Sequence, residues 1–298
     1  MKKVLITSAV AEFEKDNKLR GLASETLSSY AEKLSIFLSW LPAHIKFCKQ
    51  LTRSVYDDYV IYLRERFPNV NSINTTLRPF RRFLSFCAEL DYLVPFKTSL
   101  VKSKDKVKPT YDLEMFRSVI YDRKELKQSV MCLLFLSTGI RSKTLRLLRV
   151  SDFDYSNRLL LLSHLKNNEQ ALLPLPVYTC NRLRRYISES GLVSSDLLFP
   201  TRAGLAYTRH SLYHYLGAYL KRHGFDSGGI HKFRHTFGKY FALSGGSSIA
   251  LSHFLTHSSV AQSEKYTALY GQELRPFVSL VPAELLRTML EQNKKDGD

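Results

Sequence analysis

A lysine-rich stretch a third of the way along the chain, KTSLVKSKDKVKP at residues 97–109, separates two segments that must each fold around their own core. It holds five lysines and two serines, no aromatic residue and little apolar bulk. Such a segment has nothing to bury, so it reads as a linker, with Pro109 marking its end. At 298 residues the chain is also too long for one ordinary core. The expected domains are residues 1–96 and 110–298, joined by 97–109.

Charge narrows the class of partner. Lys plus Arg number 44 and Asp plus Glu 27, a formal net charge of +17. The excess is on both sides: 18 basic against 11 acidic residues in 1–107, and 26 against 16 in 108–298. Hydrophobic residues at 44% and charged residues at 24% exclude a mostly disordered chain. No apolar run approaches the roughly 18 residues of a membrane span. Nucleic acid is therefore the first partner to consider and an acidic membrane surface the second. Two positive domains on a basic strap suit a clamp around duplex DNA.

The compartment is read from the N-terminus and the cysteines. Lys2 and Lys3 precede a short apolar stretch, residues 4–11, but Thr7 and Ser8 interrupt it and Glu12 ends it. That is short for the hydrophobic region of a signal peptide. Cys48, Cys87, Cys132 and Cys180 are scattered with no C-x-x-C pair, which favours buried free thiols over a zinc site. A reducing cytoplasm is expected.

Apolar periodicity gives the architecture. Helical stripes run through 26–40 (Leu27, Tyr30, Leu34, Phe37, Leu38), 55–67 (Val55, Tyr59, Tyr62, Leu63) and 72–90 (Ile73, Leu77, Phe80, Leu84, Cys87). Pro79 is expected to kink or split the third, and Arg78, Arg81 and Arg82 lie off its apolar face. A helical bundle with basic outer faces follows. In the second half, 113–120, 129–137, 180–188, 211–223, 231–243, 248–255 and 282–292 read as helices. Residues 158–162 and 170–175 flank the polar turn Lys166-Asn167-Asn168-Glu169 and read as a β-hairpin. The fold class is mainly α with a small β-sheet.

The signatures GxxxxGK[ST], HExxH, GxSxG and GxGxxG are absent. The polar residues that remain, Arg141, Lys166, His231, Arg234, His257 and Tyr266, suit chemistry at a phosphodiester. Two guanidiniums can grip non-bridging oxygens and neutralise a pentacoordinate transition state. A lysine can protonate a leaving alkoxide, and a histidine can share the nucleophile's proton. A tyrosine hydroxyl can attack, splitting a transesterification into two steps. The arginines supply the positive charge, so no metal or cofactor is required. Taken singly, each residue has a plainer reading: a helix-start arginine, a solvated turn lysine, a polar helix face, a cap neighbour, one tyrosine among 17.

Order and spacing change that weighing. TGIRSKTLRLLRVSDFD, HKFRHTF and LTHSSVAQSEKYTALY together resemble the tyrosine recombinase, or phage integrase, family of Xer-like or transposon-encoded type. Arg141 follows Thr138-Gly139, Lys166 precedes LLPLP at hairpin distance, and His231 and Arg234 form H-x-x-R. His257 lies 23 residues beyond Arg234, and Tyr266 nine beyond His257. The likeness spans roughly residues 110–270. The N-terminal bundle with its basic linker is similar to the family's core-binding domain, and 110–298 to its mixed α/β catalytic domain.

The resemblance implies a division of labour. Arg141 and Arg234 would clamp the scissile phosphate, and Lys166 would protonate the departing 5′ oxygen. His231 would assist proton transfer at the tyrosine, and His257 would hydrogen-bond the phosphate. Tyr266 would be the nucleophile, giving a 3′-phosphotyrosyl enzyme that religates without ATP. Recombination through a Holliday junction, for integration, excision or resolution, would proceed in a homotetramer on two paired DNA sites, or with a related recombinase as partner. Two positions depart from the pattern: Thr144 stands where an acidic residue is usual, and Thr256 where a glycine is. Tyr270, one helical turn past Tyr266, is a competing nucleophile.

Three other readings compete with this one. A catalytically inactive or architectural DNA-binding protein of the same fold would share the charge and the bundle, but all six chemical positions are filled. A type IB topoisomerase is disfavoured by the short chain and small N-terminal bundle, and a metal-dependent integrase by the absence of a clustered carboxylate triad. Helical patterning that begins near residue 20 suggests no additional arm-binding domain. The apolar stripe Leu285, Leu286, Met289 and Leu290 at the C-terminal end either folds back on its own domain or, as the resemblance implies and as is expected here, is passed to a neighbouring subunit.

Overall fold

The computed structural model describes residues 2–102, 108–163, 170–226, 229–255 and 274–295. The chain divides into two compact units, Met1–Lys106 and Val107–Asp298.

In the first unit, α1 (Ile6–Leu19), α2 (Ser24–Trp40), α3 (Arg53–Arg66) and α4 (Val70–Glu89) enclose an aromatic core. Phe37 packs on Phe80 with ring centroids 4.1 Å apart, and Tyr59 meets both edge-on. Helix α1 begins well before residue 20. Its buried stripe is Ile6, Ala9, Val10, Phe13 and Asn17, and the last is satisfied by donating Nδ2 to the Phe13 carbonyl at 2.9 Å. The apolar stretch at residues 4–11 is thus largely the front of a core helix. A small alanine and a buried asparagine blur its periodicity in sequence.

Pro79 does not split α4, which is assigned as one helix from Val70 to Glu89. Leu77, Phe80, Phe83 and Leu84 are all buried around it. Burying side chains of this size is worth about 1.5–3 kcal/mol each, enough to outweigh one lost backbone hydrogen bond and the proline's strain.

The first residues of the lysine-rich segment are held along α3 and α4. Arg53 Nη1 donates to the Lys97 carbonyl at 2.7 Å and the Tyr56 hydroxyl to that of Ser99 at 2.6 Å. Arg81 Nε donates to Thr98 Oγ1 at 2.9 Å, and Asn74 and Val101 exchange a pair of hydrogen bonds, each 2.9 Å. Composition could not reveal this, because every partner lies between 17 and 44 residues away in sequence.

The second unit contains α5 (Arg117–Ile120), α6 (Leu126–Thr138), α7 (Ser142–Leu147), β1 (Phe153–Asp154), β2 (Leu159–Leu162), β3 (Ala171–Pro174) and α8 (Val177–Glu189). These are followed by α9 (Arg209–Arg222), α10 (His231–Leu243), α11 (Ser248–Leu255) and α12 (Pro282–Lys295). Helix α6 is buried continuously from Ser129 to Thr138, as its run of apolar residues requires, and α5, α8, α10 and α12 pack on it. The fold is mainly α with one three-stranded antiparallel sheet ordered β1-β2-β3. Leu162 pairs with Ala171, so the hairpin is present; β2 starts one residue later than expected because Arg158 adopts a left-handed backbone (φ 54°). Strand β1, two residues long, has no pattern that sequence could expose.

Helix α12 packs against α6 and α10 of its own unit, with Leu286 and Leu290 buried. The stripe expected to wait for a neighbour is therefore covered at home, and only Met289 of it is exposed. All four cysteines are buried free thiols. Among the described residues no helix is long and apolar enough to cross a membrane.

Candidate active site

The site is built where α6 ends. Gly139 closes that helix in a left-handed conformation (φ 62°), with its N–H donating to the Phe135 carbonyl at 2.9 Å. A β-carbon here would stand 2.7 Å from Leu255 Cδ2 and 2.8 Å from Phe237 Cδ1. Only glycine fits this turn, both for its backbone and for its room. Thr138 beside it is buried, and its hydroxyl donates to the Leu134 carbonyl at 2.6 Å. Two residues on, Arg141 is the extended N-cap of α7 and is half-buried. The T-G-x-R run is thus a helix stop, a sharp turn and a helix start that deliver one arginine.

Gly139→Ala should cost about 2–5 kcal/mol, from left-handed strain of about 1–2 and overpacking of about 1–3. The measurement is the urea midpoint of the full chain. An unchanged midpoint would show that Phe237 and Leu255 yield and that glycine is dispensable.

Helix α10 supplies the second arginine. Phe233, Thr236 and Phe237 face the core, which leaves His231 and Arg234, one turn apart, on the side toward the α6–α7 turn. Arg234 is 9% exposed. Its Nη1 donates to the Gly139 carbonyl at 2.9 Å and its Nη2 to the Leu255 carbonyl at the end of α11. One guanidinium therefore ties the T-G-x-R turn to the residue from which the chain enters the 256–273 segment. Burial and the Arg141 charge lower Arg234 to about 10. The pair is brought together at an energetic cost.

His231 remains exposed at the start of α10, yet its pKa is lowered from 6.5. Desolvation by the surrounding protein is the largest cause, followed by the guanidiniums of Arg209, Arg234 and Arg141. Among the described residues neither Arg234 nor His231 forms an ion pair with a carboxylate, and Thr144, 3% exposed in α7, brings no charge. Two guanidiniums and an imidazole drawn this close suit an anion that shares their charge.

Three of the six sequence candidates, Arg141, His231 and Arg234, are thus brought together. Lys166, His257 and Tyr266 lie outside the described residues, as do Thr256 and Tyr270; β2 and β3 flank the segment that carries Lys166, and α11 leads into the one that carries the other four. Arg209 was not singled out in sequence. Nothing in the run Thr208-Arg209-His210 marks it, and only the placement of α9 brings it near His231.

A profile of the phage integrase family matches residues 113–273. Tyrosine recombinase XerC of Staphylococcus aureus (strain MSSA476) is 26% identical over 269 residues, covering 86% of this chain and 90% of that protein. Among solved structures, a lambda integrase dimer bound to a COC′ core site is similar with a TM-score of 0.70 at 15% identity, over 88% of this chain and 95% of that one. The Tn1549 transposon integrase in complex with circular intermediate DNA gives 0.69 at 18% identity, over 92% and 98%. These two likenesses describe the fold. The family profile covers more than half of the sequence and includes every residue of the site built above, and on that ground the chain belongs to the phage integrase family.

Proposed function

We propose that this protein is a site-specific DNA recombinase of the tyrosine type, cleaving and rejoining duplex DNA through a 3′-phosphotyrosyl intermediate and a Holliday junction. The observation that carries the reading is the convergence of Arg141, Arg234 and His231 in a site with excess positive charge. The phosphodiester has the charge and the two non-bridging oxygens that a pair of guanidiniums matches. In this reading the Tyr266 oxygen attacks phosphorus as the bond to the 5′ oxygen breaks. Lys166 gives its proton to the departing 5′ oxygen, and His231 takes up that of the phenol. Arg141, Arg234 and His257 hold the charge that develops on the phosphoryl oxygens. The new phosphodiester bond to tyrosine keeps the energy of the old one, so reversal by another strand's 5′ hydroxyl needs no nucleotide.

Assembly as a homotetramer on two paired sites is the further part of the proposal. It is supported by the similarity to lambda integrase, one structure of which is a tetramer bound to a Holliday junction.

Nicked duplexes that lose the short fragment after cleavage trap the covalent complex. Incubated in EDTA without nucleotide, the full chain should accumulate an SDS-resistant adduct joined to the 3′ phosphate. Binding without any adduct would support the architectural alternative, and an absolute Mg²⁺ requirement for cleavage would overturn the mechanism.

His231 predicts the pH response. A proton-accepting imidazole must be neutral, and burial together with the neighbouring guanidiniums favours that form. Cleavage should therefore hold as pH falls through 6.5, the ordinary histidine value, and decline only below it. Rates on a nicked duplex, measured against pH for the wild type and His231→Gln, check this. A wild-type acidic limb above 6.5, or the same limb in the glutamine variant, would remove His231 from the role.

A further inference from the structure

The start of α9 brings one more cation to the site. Its N-cap is reciprocal: Ser211 N donates to Thr208 Oγ1 at 3.0 Å and Thr208 N donates to Ser211 Oγ at 2.9 Å. This fixes Arg209 as the first residue of the helix. Arg209, Tyr213 and His210 form one wall of a cleft of about 300 Å³, with Ser142 of α7 and His231 of α10 opposite. Ser142 immediately follows Arg141, so the cleft adjoins the paired arginines.

Nothing in the fold explains a cation at this place. Arg209 is exposed and has no ion pair or hydrogen bond among the described residues. In the first turn of a helix its charge also opposes the macrodipole, an arrangement that is mildly destabilising. Across the cleft it adds to the positive charge that Arg141 and Arg234 already place on His231.

We propose that Arg209 is a further phosphate-binding residue of this site, taking a backbone phosphate of the DNA strand that enters the cleft between α7, α9 and α10 and so positioning that strand against the Arg141–Arg234 pair. The inference rests on the recombinase reading for its substrate. A bound phosphate would supply the anion that the α9 terminus lacks and satisfy a guanidinium that the protein leaves in water. The same charge, after burial, lowers the pKa of His231. Arg141 from α7 and Arg234 and His235 from α10 also face that region, so loss of Arg209 would weaken this effect without abolishing it.

The test uses the full chain with Arg209→Gln and Arg209→Lys. In single-site DNA binding measured against salt, the glutamine variant should reduce the slope of log K against log [salt] by about one, and the lysine variant should retain it. In the cleavage profile, the acidic limb should move to higher pH in the glutamine variant and return toward the wild-type position in the lysine variant. A glutamine variant with the wild-type salt slope would overturn the proposal whatever its pH profile. Thermal melts of all three proteins keep a folding defect separable, because an exposed residue outside the core should leave the midpoint nearly unchanged. If the wild type never forms a covalent adduct, the recombinase reading fails. The salt slope still decides whether Arg209 holds a phosphate.

Discussion

Tyr266→Phe is expected to abolish covalent attachment to DNA while leaving duplex binding nearly intact. The substitution removes one hydroxyl and keeps the ring, so packing and net charge are unchanged. The affinity of a protein carrying 44 basic residues comes mostly from neutralised phosphates, to which a neutral phenol adds little. What is lost is the oxygen that this reading assigns to the attack. The contrast with Tyr270→Phe makes the result diagnostic. Tyr270 stands four residues later, close enough in sequence to compete for the role, and its phenylalanine variant should still form adducts. A dead Tyr270→Phe beside an active Tyr266→Phe would transfer the nucleophile and discard the nine-residue interval from His257 as a guide.

The second large effect is expected at Lys166. As general acid it should contribute about 10²–10⁴ to the cleavage rate, so Lys166→Ala should lose that much with binding largely retained. A substrate with sulfur in place of the 5′-bridging oxygen separates the explanations. A thiolate leaves without needing a proton, so cleavage of that substrate should be nearly as fast in the alanine variant as in the wild type. Failure of this rescue, with binding intact, would reduce Lys166 to a DNA contact of the hairpin. β2 and β3 pair in register from Leu159–Pro174 to Leu162–Ala171, and in sequence the segment between them carries the lysine.

Several helices could be read directly, because burying one face of a helix leaves an apolar residue every three or four positions. The stripe through Leu27, Leu34 and Phe37 belongs to α2, and α10 begins at His231 as expected. The elements that escaped lacked that trace. Helix α1 contributes Asn17 to its buried face, α7 has six residues, and β1 has two. Pro79 misled in the opposite direction: as a local rule it breaks a helix, and the surrounding aromatic core overrules it. The C-terminal stripe is legible as apolar, but one partner, α6, lies some 150 residues earlier and spacing cannot name it.

The sequence by itself determined the residue types and the intervals of the chemistry. Arg141 after Thr138-Gly139, the H-x-x-R pair and the tyrosine nine residues past His257 are matters of order along the chain, and order is what a sequence records. Only the tertiary structure decided why some of those positions are as they are. Gly139 is required because Phe237 and Leu255, about 100 residues away, leave no space for a β-carbon. Arg234 is buried because its guanidinium joins two carbonyls from separate helices. Arg209 lies near His231 because the start of α9 borders the same cleft as the start of α10. Close packing acts over a few ångströms and charge over about 10 Å in salt, so residues far apart in sequence become partners only once the helices that carry them are packed.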